Sequence, residues 1–113
     1  EVKMKNLLAA TLVFVFGIGA SHAENQTYET GLPDVFVKHV SCSGGATLHF
    51  SLVNKSKNDL AGVDVHVSVV DEDGDPVDSG TTGKTFLDAN SGDRDFIGVR
   101  CDLGTNYKFK IIE

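Results

Sequence analysis

The sequence predicts an all-β fold, a sandwich of six to seven short antiparallel strands. Apolar and polar residues alternate along several short segments, and clusters of Gly, Asp, Asn and Ser separate these segments about every eight to twelve residues. No segment has a helical apolar repeat of convincing length. This combination is typical of immunoglobulin-like and fibronectin type III-like sandwiches.

Three strands are predicted in the first half of the domain. Residues 35–42 are rich in β-branched and aromatic side chains and end at a Ser-Gly-Gly turn. Residues 46–54 alternate, and residues 63–69 alternate most clearly, with valine at every second position. The predicted inward faces are Leu48, Phe50 and Leu52 in the second strand and Val63, Val65, Val67 and Val69 in the third.

The second half is predicted to contain shorter strands. Residues 71–75 form a turn, residues 77–79 and 84–87 are extended, and residues 90–93 form another turn. A strand over 95–103 places Ile97, Val99, Cys101 and Leu103 on one face, and a strand over 107–112 does the same for Tyr107, Phe109 and Ile111. The turn between these strands is a place for a tyrosine corner formed by Tyr107.

The first 23 residues have the features of a cleaved signal peptide. A short polar start at Met4 is followed by about a dozen apolar residues, too few for the roughly 20 that cross a bilayer, and by small residues at Ser21 and Ala23. We therefore expect residues 1–23, including an upstream extension 1–3, to be removed. The mature chain then has a flexible arm at 24–32 and a sandwich at 33–113, and is secreted or periplasmic.

Two cysteines remain in the predicted mature chain, Cys42 and Cys101. In an oxidising compartment, an even pair without a Cys-x-x-Cys motif predicts a disulfide. Closing a loop of this length contributes about 4 kcal/mol in the chain-entropy model, a large share of the stability of a small domain.

The charge balance restricts the partners. Because Lys3, Lys5 and Glu1 precede the predicted cleavage point, the mature chain has 8 basic against 15 acidic residues. A net charge of about −7 argues against nucleic acid and anionic membrane as partners. It is compatible with a basic protein ligand, or simply with solubility.

Two groups of residues in the sequence are of types that bind metal ions. Asp71, Asp73 and Asp75 have the spacing that begins a calcium loop, but Pro76 and Thr82 replace the turn glycine and the bidentate glutamate, so an EF-hand is excluded. A weak surface calcium site or an acidic turn remain as alternatives. Three histidines lie on predicted strands without ligand spacing, and we expect solvated side chains rather than a metal site: His39, His49 and His66.

No catalytic motif is present, and we expect a protein that is not an enzyme and needs no cofactor. The serines Ser43, Ser79 and Ser91 are not in a Gly-x-Ser-x-Gly elbow. The Gly83-Lys84-Thr85 segment lacks the glycine and the following helix of a phosphate-binding loop.

Binding surfaces are better sought in loops and polar strand faces. The loops 55–62 and 71–83 are the first candidates, because sandwiches present variable loops at their ends on a stiff scaffold. Polar rows on the strands are the second candidates, with ordinary solvated sheet faces as the alternative interpretation: Asp64, His66 and Ser68 in one row, and Arg100 and Asp102 in the other.

Several segments together carry a family resemblance: Val53-Asn54-Lys55-Ser56 with Leu60, the valine ladder, the acidic turn and Ser91-Gly92 before Phe96. The pattern resembles the FxLYD-type Ig-like modules of secreted bacterial proteins. With the signal peptide, the cysteine pair and the small size, the chain resembles the secreted enterobacterial interleukin receptor mimic family. That resemblance implies a fibronectin type III fold, a domain-swapped homodimer, and binding of host cytokines through likeness to cytokine-receptor domains.

The number of predicted strands leaves the oligomeric state open. Only one strand follows residue 106, so a sheet edge lacks a closing strand. A second copy would supply this strand in a homodimer, and the arm 24–31 would supply it in a monomer.

The alternative to cytokine capture is a periplasmic module that docks on a bacterial partner. Localisation in the medium or in the periplasm discriminates these two functions.

Overall fold

Alternating apolar side chains meet between two antiparallel sheets, as the sequence predicts for an immunoglobulin-like sandwich. The structure is a computed structural model that describes residues 26–113. The predicted signal peptide, residues 1–23, and the first two residues of the arm lie outside the described range. Within residues 26–113 there is no helix that could span a bilayer.

Eight strands occupy the described residues: β1 (Tyr28–Glu29), β2 (Val35–Ser43), β3 (Thr47–Asn54), β4 (Leu60–Val70), β5 (Pro76–Thr81), β6 (Thr85–Leu87), β7 (Ser91–Gly98) and β8 (Asn106–Ile112). Sheet one has the order β1-β2-β3-β7. In sheet two, β5 and β6 follow one another along one edge of β4, and β8 occupies the opposite edge.

The core lies where the predicted inward faces of the strands meet. The alternating residues of β3 and the four valines of β4 are buried, as expected, and so are Phe109 and Ile111 of β8. Phe50 of sheet one contacts Phe109 of sheet two, with ring centroids 5.3 Å apart. This contact joins the two sheets at the centre of the sandwich.

A β-bulge interrupts β2 and reverses its alternation. Val37 faces Leu52 and Ser41 faces His49, so that His39 and Val40 both lie opposite Phe50. His39 has a φ of 55°, the left-handed conformation that the first residue of many such bulges adopts. The extra residue places Val40, at an even position, in the core.

The same bulge orients Cys42 for the predicted disulfide. Beyond the bulge, Cys42 faces Leu48, a fully buried residue of β3, so its side chain is on the inner face of sheet one. It is bonded to Cys101, which lies between β7 and β8, and the two Cα atoms are 5.8 Å apart. The bond therefore joins the end of β2 to the connection that leads into the last strand.

The described part of the arm is ordered, although we expected residues 24–32 to be flexible. Tyr28 and Glu29 pair with β2, and the buried Tyr28 ring lies 5.2 Å from that of Phe109. The carbonyl oxygen of Thr30 accepts a hydrogen bond from the N–H of Ile111 at 2.9 Å. The arm thus adds a short outer strand to sheet one and is also bonded to sheet two.

The region around the second cysteine differs from the prediction. The turn expected at 90–93 is mostly strand, because β7 pairs with β3 from Ser91 onward, and β7 ends at Gly98 instead of 103. Cys101 is buried as expected, but Leu103 is exposed because the chain has left the strand. Tyr107 donates a hydrogen bond to the carbonyl oxygen of Cys101, six residues upstream, as in a tyrosine corner.

Strand β7 forms one edge of sheet one, and its own side chains protect this edge from pairing with another strand. Asp93 accepts a hydrogen bond from the N–H of Arg94, and Asp95 accepts one from the N–H of Phe96, both at 2.8 Å. A strand that added to this edge would have to displace these carboxylates. Charged side chains on an edge strand are a known way to discourage edge-to-edge pairing.

Substitution of His39 tests the left-handed conformation in the bulge. His39→Gly should raise the free energy of unfolding by about 0.5–1 kcal/mol, because a left-handed conformation costs a non-glycine residue more than the entropy lost by glycine. Urea denaturation of the oxidised protein measures this difference. Lys38→Gly is the control and should lower stability by a similar amount; an equal loss in both variants contradicts the role assigned to His39.

The arm generates a prediction of pH dependence. Burial raises the pKa of Tyr28 to about 12, with a smaller contribution from Tyr107. The stability supplied by the neutral phenol is complete below pH 10, the ordinary value, and is lost as the pH rises through about 12. Urea denaturation between pH 9 and 11.5 should show a smaller alkaline loss for Tyr28→Phe than for the native chain.

Burial also raises the pKa of Tyr107, so some alkaline loss should persist in the Tyr28→Phe variant. The Tyr107→Phe variant measures that remainder. If Tyr28→Phe loses stability with pH as steeply as the native chain, the arm is not held as described.

Candidate functional site

One end of the sandwich is organised around the buried side chain of Asn54. Its amide nitrogen donates to the carbonyl oxygen of Asn58 at 2.8 Å and to those of Leu87 and Asp88 at 3.3 Å each. Its amide oxygen accepts from the N–H and the hydroxyl of Ser56 at 3.0 and 2.6 Å. A single side chain therefore fixes the loop after β3 and ties it to the chain after β6.

Two further contacts complete this loop. Asp59 accepts a hydrogen bond from the N–H of Ala89 at 2.8 Å, and the N–H of Lys55 donates to the carbonyl oxygen of Asp34 at 2.8 Å. Between the turn 32–34 and the loop 55–59 lies an open cleft of about 450 Å³. Lysine and carboxylate side chains line it together: Asp34, Lys55, Lys57, Asp59 and Glu113.

An exposed aromatic side chain lies at the same end. Phe86 of β6 is 70% exposed and faces Ala61 of β4 in register. Its ring lies over Gly62, where a Cβ atom would be 3.6 Å from Cζ, and Gly62 has a φ of 71°. We name the turn 32–34, the loop 55–59 and Phe86 the loop-end surface. The sequence indicates the loop as a candidate binding surface but not Phe86, because the exposure of this side chain depends on the pairing of β6.

The structure brings the three acidic residues of the second candidate loop together. One ligand atom from each of Asp71, Asp73 and Asp75 lies within 4.8 Å of the others. However, one oxygen of Asp71 already accepts hydrogen bonds from the N–H groups of Asp73 and Asp75, at 3.0 and 2.9 Å. These bonds use one carboxylate oxygen of Asp71 and stabilise the turn that closes the hairpin between β4 and β5.

The three histidines are on different parts of the sandwich. His39 is in the bulge, His49 of sheet one lies against Phe96 with centroids 6.1 Å apart, and His66 belongs to sheet two. The Nδ1 atom of His66 is 2.9 Å from the hydroxyl of Thr81. His49 and His66 are on opposite outer faces, so the structure does not bring this pair together.

The structure places the two predicted polar rows in different kinds of surface. Asp64, His66 and Ser68 alternate with buried valines and lie on the outer face of sheet two, as predicted. Arg100 and Asp102 lie in the connection after β7, not on a strand, and form an exposed ion pair of 3.6 Å. Only the first row is therefore part of a sheet surface.

The connection after β7 is held by a carboxylate of the neighbouring sheet. Asp78 of β5 accepts a hydrogen bond from the N–H of Arg100 at 2.7 Å. This bond, together with one from the N–H of Ser79, lowers the pKa of Asp78 below its ordinary value. The contact fixes the chain next to the disulfide.

The serines considered as nucleophiles are placed apart. Ser43 ends β2, Ser79 lies in β5 opposite Ser68, and Ser91 begins β7 and donates to the carbonyl oxygen of Asp88 at 2.6 Å. In the described part of the chain, no hydrogen bond joins any of the three to a histidine.

Comparisons with known proteins add no family to this description: no family model, no curated protein and no solved structure matches the chain.

The Asn54 network generates the third prediction. Asn54→Ala should lower the free energy of unfolding by about 2–3 kcal/mol, because several buried or half-buried backbone groups lose their partner. Asn58→Ala is the matched control, since only the backbone of Asn58 takes part in these bonds, and it should stay within about 0.5 kcal/mol. Equal effects in urea denaturation would remove Asn54 from its central role.

Proposed function

We propose that this chain is an exported bacterial protein that binds a protein ligand through its loop-end surface, and that the ligand is a host cytokine. The cytokine is proposed from the sequence resemblance to the interleukin receptor mimic family. Export is proposed from the signal-like first 23 residues, and the disulfide is compatible with it.

The observation that carries the proposal is the exposed ring of Phe86 beside a loop that is already ordered. Large aromatic side chains are enriched in protein interfaces and often supply much of the binding energy. The Asn54 network fixes the neighbouring loop before any ligand binds, so little conformational entropy is lost on association. The cleft between the turn 32–34 and the loop 55–59 adds charged side chains of both signs at the same end of the sandwich, as in the polar part of an interface.

The fourth prediction tests this surface with two phenylalanines of similar exposure. Phe86→Ala should weaken cytokine binding at least tenfold, while Phe96→Ala should change it less than twofold. Phe96 is 64% exposed but lies on the outer face of sheet one, next to His49. Surface plasmon resonance of the oxidised mature protein against a panel of human cytokines gives both affinities.

A reduced and alkylated sample and the solution mass complete this experiment. Binding should disappear on reduction if the loop end needs the folded sandwich. A mass of two chains supports the homodimer that the resemblance implies, and a monodisperse monomer contradicts it. In the described residues β1 pairs with β2 at Phe36 and Val37, so the arm covers only part of that edge.

The competing function is a periplasmic module that docks on a bacterial partner. A flat cytokine panel with folded protein, together with retention in the osmotic-shock fraction, favours that function. Accumulation in cleared culture medium without lysis markers favours cytokine capture. Equal loss of binding in Phe86→Ala and Phe96→Ala would place the interface somewhere other than the loop end.

A further inference from the structure

The outer face of sheet two carries rows of side chains that cross three strands. Lys108 of β8 faces Ser68 of β4, which faces Ser79 of β5. In the next row, Lys110 faces His66, which faces Thr81. Since directly paired residues share a face of an antiparallel sheet, these six side chains form one continuous surface, here named the basic face.

The arm borders this surface and makes it concave. The carbonyl oxygen of Thr30 is bonded to the N–H of Ile111, so the arm lies along the edge of β8. Between the arm and the two rows lies an open hollow of about 390 Å³, lined by both lysines together with His66 and Ser68. The side chain of Phe109 is buried below, which leaves the β8 backbone as the floor.

The charge of this face is opposite to that of the chain as a whole. The protein has a formal net charge of −6, yet both exposed lysines of β8 are on the basic face. The nearest acidic position in the register is Asp64, and its carboxylate is 3.5 Å from the ammonium of Lys84. Among residues 26–113, no ion pair joins Lys108 or Lys110 to a carboxylate.

The position of His66 adds a fixed polar group to the hollow. Its Nδ1 atom is held 2.9 Å from the hydroxyl of Thr81, so the ring orientation is set by a cross-strand contact. Two ammonium groups, an imidazole and the hydroxyl of Ser68 are the donors that carboxylates bind. No acidic side chain lines the hollow in the described part of the chain.

We propose that the basic face is a docking surface for an acidic segment of a partner protein, whose carboxylates bind Lys108 and Lys110. Ile112, which is 45% exposed and follows the two lysines on the same side of β8, offers an apolar contact that a peptide side chain can use. Long polyanions need many cationic contacts and are repelled by the acidic surface elsewhere. A short acidic segment needs fewer cationic contacts and, because it covers only this face, is repelled less.

The fifth prediction compares two charge-reversed pairs. The probe is a fluorescein-labelled dodecapeptide of eight glutamates and four leucines, with a glutamine-for-glutamate peptide as control, measured by fluorescence anisotropy at low salt. The oxidised mature chain should bind the acidic peptide saturably and the control peptide at least tenfold more weakly. The double variant Lys108→Glu/Lys110→Glu should lose at least tenfold in affinity.

The variant Lys55→Glu/Lys57→Glu makes the same charge change at the loop end and should lose less than threefold. Equal losses in both pairs would mean that only net charge matters, and the proposal fails. It also fails if folded native protein shows no saturable binding, or if a heparin oligosaccharide binds the same lysines more tightly than the peptide. If the charge-reversed variant is unfolded by circular dichroism, Lys108→Gln/Lys110→Gln takes its place.

This surface is independent of the loop-end surface. Phe86→Ala should leave acidic-peptide binding unchanged, and the Lys108→Glu/Lys110→Glu variant should leave cytokine binding unchanged. Failure of one proposal is therefore distinguishable from failure of the other.

Discussion

The fold depends on one extra residue in β2. Before the bulge, odd-numbered residues such as Val37 point inward, and after it even-numbered residues do so: Val40 lies in the core and Cys42 at the exposed end of the strand. Without the bulge, Cys42 would lie on the outer face of sheet one, and the link to Cys101 could not form. The bulge costs conformational free energy at His39, whose positive φ lies in a region that few non-glycine residues adopt. Packing of β2 on both sides of the bulge holds it there.

A second constraint is the aromatic contact that crosses the sandwich. Tyr28, Phe109 and Phe50 stand in sequence from the arm through sheet two to sheet one, with centroid distances of 5.2 and 5.3 Å. The arm is therefore part of the core rather than an appendage to it. Because the arm also forms the border of the basic face, the order of that surface depends on the same aromatic contact.

Local alternation made much of the fold predictable. The inner faces of β3 and β4 follow from period two alone, because each face contacts the same environment along the strand. Alternation could not reveal β1, which has two residues, or the bulge, whose position is set by the partner strand. At the start of β7 the pairing with β3 overrides a Ser-Gly-Asp sequence that locally favours a turn.

The candidate sites were less predictable because they depend on neighbours distant in sequence. The segment around Asn54 stood out as a motif, but its partners Leu87 and Asp88 are 33 and 34 residues away. Likewise, Lys108 and Lys110 read as the solvent side of a strand until β4 and the arm are placed beside them. Spacing along the chain carries no information about such surfaces.

The disulfide has two unequal sulfurs. Cys101 is buried, whereas Cys42 is exposed at the end of β2. A thiolate from solution can therefore reach Cys42 first, and the mixed disulfide forms there while Cys101 leaves as a thiolate in apolar surroundings that disfavour its charge. Reduction therefore begins at Cys42, and it is disfavoured because the buried Cys101 must leave as a thiolate. The Cys101 thiolate also stays close enough to attack the mixed disulfide and restore the bond. A chain that has gone no further than the mixed disulfide therefore recovers its staple without an added oxidant, whereas a chain reduced to two thiols needs one.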